Sequence, residues 1–206
     1  MVTILSNSVL ACDITTIRNK NTTMPEFRAA MERIGYHLAV SVTQNIPICQ
    51  QTIQTPLEET AGFELQGDVV IVPILRAALS ILHPFTALIP TAKVGYLGLK
   101  RNEQTLESYE YYANIPALTQ NSTVIIIDPM LATGGSIAAA ISHIKKSKVQ
   151  HIHVAAVIAA PEGMKFIQQS HPDVEITVTV VDRMLNEHGY IVPGLGDAGD
   201  RVHGTE

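Results

Sequence analysis

The chain has 206 residues, of which 46% are hydrophobic and 16% are charged, and its formal net charge is −5. This composition predicts one folded α/β domain with an appendage, or at most two small domains, and excludes a disordered chain. The acidic balance argues against a nucleic-acid partner, because that kind of surface needs clustered lysines and arginines. No run of eighteen apolar residues and no secretory leader pattern occurs, which predicts a cytoplasmic protein without membrane contact.

The predicted elements alternate between strands and helices after an N-terminal helical segment of about residues 1–60. Within that segment, residues 24–44 place apolar side chains at helical spacing and predict an amphipathic helix. A further helix, interrupted near Pro84, follows the first strand. The predicted strands are 69–75, 92–99, 124–128, 151–160 and 174–181, and the remaining predicted helices are 136–146 and 161–170. This alternation predicts a mostly parallel sheet, in which ligands bind at the carboxyl ends of the strands.

The segment DPMLATGGS, residues 128–136, follows the β-branched run 124–127 and precedes a helix. The first N–H groups of such a helix attract phosphate, and two adjacent glycines allow the backbone to wrap around it. Thr133 and Ser136 add hydroxyl donors. An ordinary strand-to-helix loop with a cap is the alternative. Asp128 favours a ligand site, because a carboxylate beside a phosphate needs another task, such as accepting hydrogen bonds from ribose or orienting a metal.

Three other patterns could suggest a further binding site, but the sequence favours a simpler interpretation of each. Residues 194–199, GLGDAG, match the dinucleotide motif, but they follow Pro193 rather than a first strand, and this context argues against an NAD site. His151 and His153 share one face of a strand, and without a third ligand they predict a strand-edge pair rather than a metal site. The tyrosines within residues 109–112 predict a two-stranded arm, although stacking on a base is the alternative.

Five segments together resemble uracil phosphoribosyltransferases: DPMLATGGS, PILRA (73–77), AKVGYLGLKR (92–101), IAAPEG (158–163) and HGYIVPGLGDAGDR (188–201). The resemblance begins near Arg18 and implies a single domain over residues 1–206 with the type I phosphoribosyltransferase fold. That fold is α/β, with a mostly parallel sheet flanked by helices, a β-arm and a small C-terminal hood. The resemblance also implies a lid or arm at about 100–116, a base-binding loop at about 188–201, and a homodimer or higher homo-oligomer.

The resemblance implies an enzyme of pyrimidine salvage. It would transfer the phosphoribosyl group of 5-phospho-α-D-ribose 1-diphosphate (PRPP) to uracil, giving UMP and diphosphate. Mg²⁺ would be held mainly by substrate oxygens, and no protein nucleophile is needed. Two alternatives remain open: a phosphoribosyltransferase for another base, and a divergent non-catalytic paralogue that acts as a nucleotide sensor or regulator.

The resemblance assigns site residues by position in these segments. The residues expected to bind PRPP are Arg76, Arg101, Asp128, Pro129, Met130, Leu131, Ala132, Thr133, Gly134, Gly135, Ser136 and Asp197. The residues expected to bind uracil are Ile191, Gly196, Asp197 and Ala198. Asp197 and Arg101 are the candidates for supporting the transition state.

Three positions depart from the family pattern. Ala78 stands where glycine is usual, Lys100 where tyrosine is usual, and His203 where phenylalanine is usual. We expect the Cβ of Ala78 to crowd a loop that approaches diphosphate, and therefore to reduce activity.

Overall fold

The computed structural model of the protein describes residues 1–101 and 108–205. Six helices are described: α1 (Ser8–Arg18), α2 (Met24–Thr43), α3 (Leu79–Leu88), α4 (Gly135–Lys145), α5 (Pro161–Ser170) and α6 (Ala198–His203). The described strands of the N-terminal half are β1 (Val2–Ile4), β2 (Ile48–Gln54), β3 (Glu59–Leu65), β4 (Val69–Leu75), β5 (Lys93–Val94), β6 (Tyr96–Arg101) and β7 (Ser108–Asn114). They continue with β8 (Thr123–Ile127), β9 (Met130–Leu131), β10 (His151–Ala159), β11 (Glu175–Val181), β12 (Met184–Leu185) and β13 (Ile191–Val192).

The central sheet has the order β1-β11-β10-β8-β4-β6-β7. Neighbouring strands in this order are parallel, except β6 and β7, which are antiparallel. The predicted mostly parallel sheet flanked by helices is therefore confirmed. The carboxyl ends of β4, β8 and β10 lie at one edge, as the parallel register requires.

Successive residues of the central strands contribute alternately to two cores, because side chains of a strand point to opposite faces. In β4, for example, Ile71 belongs to the core beneath α2 and α3, whereas Val70 and Val72 belong to the core on the other face, beneath α4. A strand buried on both faces reads as an unbroken apolar run, which explains why the central strands were predictable. No helix in the described part of the chain is long and apolar enough to cross a membrane.

The N-terminal segment is not wholly helical, so the prediction for residues 1–60 needs correction. Residues 2–4 form β1, which joins the sheet edge beside β11. Residues 48–65 form the antiparallel hairpin β2–β3. Neither piece carries a pattern that sequence reasoning detects: β1 is three residues long, and most hairpin residues are exposed, so no alternation of buried and exposed positions marks the strands.

The predicted interruption near Pro84 is also wrong, because α3 continues through this residue. Pro84 is buried, and its ring packs on α2 at Gly35, where a Cβ would lie 2.8 Å from the proline Cγ. The glycine thus makes room for the ring. Burial of the ring offsets the loss of one helical hydrogen bond.

The predicted arm is present as β6 and β7, which pair from Tyr96 with Asn114 to Arg101 with Ser108. Residues 102–107 of the predicted lid or arm lie outside the described residues. Tyr109, Tyr111 and Tyr112 belong to β7 and are each about half exposed.

Candidate active site

A cavity of about 680 Å³ opens at the carboxyl edge of the sheet. One wall is the turn between β8 and α4, and the facing wall is formed by residues 187–190 and 196–199 near the C-terminus. Its size is within the range of small-molecule sites. The two segments singled out in the sequence, DPMLATGGS and GLGDAG, therefore meet across one cavity.

The turn between β8 and α4 is held in place by the neighbouring strand β10. The backbone N–H of Asp128 donates to Ala155 O at 3.1 Å, and Pro129 O accepts from two N–H groups of β10. Met130 and Leu131 form β9, which extends this pairing. The loop that would receive a phosphate is consequently built on the sheet.

Gly134 begins helix α4 as its N-cap, with φ 85° and ψ −7°. This left-handed conformation suits glycine, because a Cβ there is strained. A Cβ at residue 134 would also lie 3.0 Å from a ring carbon of Phe166 and 3.1 Å from Gly163 O. Gly134 has no side chain to cap this helix end, and the N–H of Gly135 donates to Thr133 Oγ1 at 3.5 Å. The first turn of α4 lines the cavity, with its N–H groups at the positive end of the helix dipole.

The facing wall is a short hood. Strands β12 and β13 pair antiparallel, and residues 194–197 lead from β13 into α6. Asp197 caps α6, because its Oδ1 accepts from the N–H of Asp200 at 3.0 Å. The carboxylate of Asp197 thus has a structural task besides the expected contact with substrate.

Most of the predicted site residues lie together. Those that line the cavity are Asp128, Met130, Ala132, Thr133, Gly134, Gly135, Ser136, Gly196, Asp197 and Ala198. Pro129, Leu131 and Ile191 are buried and do not line it. For these three residues a contact with ligand would have to come from the backbone.

The two predicted arginines are placed differently. Arg76 follows β4, its side chain is 56% exposed, and its Nη2 lies 3.8 Å from Asp200 Oδ1. Arg76 does not line the cavity, whereas its neighbour Ala77 does. Arg101 ends β6, and its side chain lies outside the described part of the structure.

The structure places Ala78 in the core rather than in the lining of the cavity, and its effect on activity stays a prediction. Ala78 has φ −65° and ψ −15°, which any residue adopts, and its side chain is fully buried in the core beneath α2 and α3. Of the other two departures, His203 lies with its Nε2 3.4 Å from Arg76 O, and Lys100 lies in β6 opposite Tyr109.

Several residues that line the cavity were missed as individual positions. Ala77, Ile137 and Glu187 were not predicted, while His188, Gly189, Tyr190 and Gly199 were covered by the predicted loop 188–201 without separate roles. Ala77 follows Arg76 in the PILRA segment, so this motif could have identified it. Ile137 lies in the predicted helix 136–146 and was itself given no role at the site.

The architecture defines a class of protein. A parallel sheet, a glycine turn that opens a helix at its carboxyl edge and a small hood across the cavity together define a type I phosphoribosyltransferase. The fold is shared with a hypoxanthine-guanine phosphoribosyltransferase (hpt-2) of Bacillus anthracis str. 'Ames Ancestor', at 11% identity and a TM-score of 0.53, over 77% of this chain and 80% of that one.

Closer similarity identifies the family. The family model for uracil phosphoribosyltransferase matches residues 4–205, and the chain belongs to this family. A uracil phosphoribosyltransferase from Clostridium perfringens is 45% identical over 206 residues, which cover 100% of this chain and 99% of the relative. The solved structure of the AQ2163 protein from Aquifex aeolicus is 39% identical and has a TM-score of 0.94, with coverage of 100% of this chain and 99% of that one.

Proposed function

We propose that the protein transfers the phosphoribosyl group of PRPP to uracil, giving UMP and diphosphate, as an enzyme of pyrimidine salvage. Family membership supports this activity. The structural observation that carries it is that the β8–α4 turn and the GLGDAG loop line the same cavity. One cavity can therefore place a sugar phosphate and a base next to each other.

The β8–α4 turn suits the phosphate end of PRPP. The first turn of α4, from Gly135 onward, offers backbone N–H groups and the positive end of the helix dipole to the 5′-phosphate. Thr133 and Ser136 would add hydroxyl donors, and Asp128 would accept hydrogen bonds from the ribose hydroxyls. The binding energy at this end would thus come largely from the backbone.

The diphosphate needs cationic partners, and Arg76 and Arg101 supply them by position in the family pattern. A guanidinium group binds phosphate oxygens in a bidentate manner. Arg76 is well exposed and its carboxylate partner Asp200 is 3.8 Å away, so exchange of Asp200 for a diphosphate requires little disruption.

The C-terminal loop suits the base. Uracil presents acceptor, donor and acceptor at O4, N3–H and O2, and backbone groups from Ile191 to Ala198 can present the complementary pattern. A loop rich in glycine allows this close approach of backbone to base, and Gly194 and Gly196 both have positive φ.

The reaction forms a bond between uracil N1 and sugar C1′ while the bond from C1′ to diphosphate breaks, through an oxocarbenium-like transition state, and the proton of N1 leaves to solvent. No protein nucleophile takes part. Catalysis would arise from alignment of the two substrates across the cavity and from electrostatic stabilisation of the departing diphosphate. Asp197 and Arg101 are the candidates for supporting that transition state.

Mg²⁺ is the implied cofactor. Among residues 1–101 and 108–205, no group of three or more His, Cys, Asp and Glu side chains could hold a metal ion by itself. The cavity does present the carboxylates of Asp128 and Asp197. This donor set fits an ion held mainly by diphosphate and ribose oxygens with few protein ligands. When bound, the ion would neutralise part of the charge on the leaving group.

We expect the protein to form a homodimer or a higher homo-oligomer, and to be located in the cytoplasm. The hairpin β2–β3 exposes Ile48, Leu57 and Phe63 at 55%, 93% and 64%. A two-stranded hairpin is marginal in water without cover, so a second copy of the chain is the proposed cover. Sedimentation of the purified protein tests this: a monomer at micromolar concentration would contradict it.

A comparison of two bases tests the activity. The purified protein with PRPP and Mg²⁺ should form UMP from uracil and discriminate against cytosine by roughly 10⁴–10⁵ in kcat/KM, because cytosine leaves buried donors and acceptors unpaired. Equal values for the two bases would contradict uracil specificity. Turnover of neither base, with retained binding of UMP, would favour the nucleotide sensor.

A further inference from the structure

One ion pair holds both backbone polar atoms of Gly194, in the middle of the loop proposed to bind uracil. The N–H of Gly194 donates to Asp182 Oδ2 at 2.8 Å. The carbonyl oxygen of Gly194 accepts from Arg18 Nη1 at 3.0 Å. Arg18 and Asp182 also bind each other in a bidentate manner, with Nη1 to Oδ2 at 3.0 Å and Nη2 to Oδ1. The three residues form a closed ring of hydrogen bonds.

The ion pair is largely removed from solvent. The Asp182 side chain is 4% exposed and the Arg18 side chain is 24% exposed. A buried ion pair adds little net stability, because desolvation of the two charges offsets their attraction. Removal of one partner, in contrast, leaves a buried group unsatisfied. The Arg18–Asp182 pair is therefore better suited to fixing the geometry of the loop than to stabilising the fold.

The backbone that this pair holds has little freedom. Gly194 has φ 64°, and a Cβ at this residue would lie 2.1 Å from Ile191 O. The loop therefore folds tightly between Ile191 and Gly196, which are two of the proposed base contacts. A second arginine ties the same loop to the end of α1, since Arg201 donates to Leu195 O and to Asn19 O, each at 2.8 Å.

We infer that Arg18 and Asp182 are positioning residues that set base recognition, an inference that rests on the proposed function. Neither side chain lines the cavity, so both act through Gly194. The pair fixes where the loop amides and carbonyls sit, and thereby fixes the hydrogen-bond pattern that uracil meets. The proposed phosphate cradle, residues 128–136, is a different segment of the chain.

The chain offers a matched control pair. Arg33 binds Asp13 through Nε and Nη2, the Asp13 side chain is 6% exposed, and the pair joins α1 to α2. The test variants are Asp182→Asn and Arg18→Lys, and the control variant is Asp13→Asn. Arg18→Lys is the milder test, because an ammonium retains the charge but lacks the planar fork that reaches a carboxylate and a carbonyl together.

The measurements are KM for uracil, KM for PRPP, kcat, the uracil-to-cytosine ratio of kcat/KM, and the temperature of unfolding. In the test variants, KM for uracil should rise on the order of 10- to 100-fold, since small displacements of a binding group have effects of that size. The base ratio should fall, while KM for PRPP stays near the wild-type value. Asp13→Asn should lower the temperature of unfolding without changing either KM.

Other outcomes overturn the inference. If both KM values rise together, or if Asp13→Asn changes base selectivity as much as Asp182→Asn does, the pair has only a structural role. If Asp182→Asn does not fold, Arg18→Lys decides: an unchanged KM for uracil and an unchanged base ratio contradict the inference. The wild-type protein reports separately on the proposed function, because it must turn over uracil for that proposal to hold.

Discussion

Gly163 of α5 lies directly against the carbonyl oxygen of Ala132, where a Cβ at residue 163 would be 2.1 Å from that oxygen and 3.2 Å from the backbone nitrogen of Gly134. Three residues earlier in the chain, the N–H of Ala160 donates to Leu131 O at 2.9 Å. The start of α5 therefore packs against the β8–α4 turn, which is the proposed phosphate cradle. Residue 163, at the end of the IAAPEG segment, is therefore best occupied by glycine, because any side chain there would overlap backbone atoms.

Gly163→Ala should weaken the cradle. The added methyl group meets backbone atoms, which cannot rotate away, so the β8–α4 turn or α5 must shift. We expect KM for PRPP to rise on the order of 10- to 100-fold, as for other small displacements of a binding group. KM for uracil should change less. Steady-state kinetics with each substrate varied in turn measures both.

Gly62→Ala is the control for that prediction. A Cβ at residue 62 would meet the exposed side chain of Ile53 at 2.8 Å rather than backbone, in the hairpin β2–β3 outside the cavity. This variant should keep both KM values. An unchanged KM for PRPP in Gly163→Ala would show that the cradle tolerates the shift and would contradict the role assigned to α5.

Gly134→Val should abolish binding of PRPP, whereas Thr133→Ala should weaken it modestly. Valine at φ 85° is strained, and its side chain would press on Phe166 and Gly163. Thr133→Ala removes one hydroxyl from a site that is mostly backbone. Calorimetric titration with PRPP distinguishes the two effects. Normal binding by Gly134→Val would show that the β8–α4 turn is not the phosphate site.

Much of the fold was predictable because its central strands are buried on both faces. Strand 69–75 and helix 161–170 were predicted with the bounds that the structure has, and helix 24–44 ends one residue earlier than predicted. The hairpin β2–β3 was not predicted, because its strands are exposed and carry no periodic signal. Residues of this kind take their conformation from pairing and from what covers them, which a local pattern does not contain.

The place of a residue in the cavity lining was predictable where a sequence motif combines chemistry with a required backbone conformation, as at Gly134 and Asp128. It was less predictable where tertiary structure gives a residue a second task, as for the helix-capping side chain of Asp197. The role proposed for Arg18 could not be deduced from spacing, because its partners Asp182 and Gly194 are more than 160 positions away along the chain.

Ala78→Gly should destabilise the protein without raising its activity. The Ala78 methyl group is buried in the core at the start of α3, and glycine there would lose its burial and add freedom to the unfolded chain. The expected loss in the free energy of unfolding is about 1–2 kcal/mol. Urea unfolding measures the loss, and kcat should stay unchanged. A higher kcat or a lower KM for PRPP would restore the idea that this position crowds the diphosphate loop.

Acid should destabilise the protein partly through His153. Burial lowers the pKa of His153 below its ordinary value of 6.5, although Glu175, 3.7 Å from Nδ1, opposes the shift. Above pH 6.5 the imidazole is neutral in both states. As the pH falls below that value, the unfolded chain binds a proton that the folded chain does not, so the free energy of unfolding decreases until the lowered pKa is reached. His171, whose pKa is lowered by burial and by Lys145, acts in the same direction.

Urea unfolding at pH 7.5 and at pH 5.5 measures the difference in the free energy of unfolding between the two pH values. This difference should shrink in His153→Gln and persist in His83→Gln, a variant of an exposed residue on α3. An equal pH dependence in His153→Gln and the wild type would show that this histidine does not contribute.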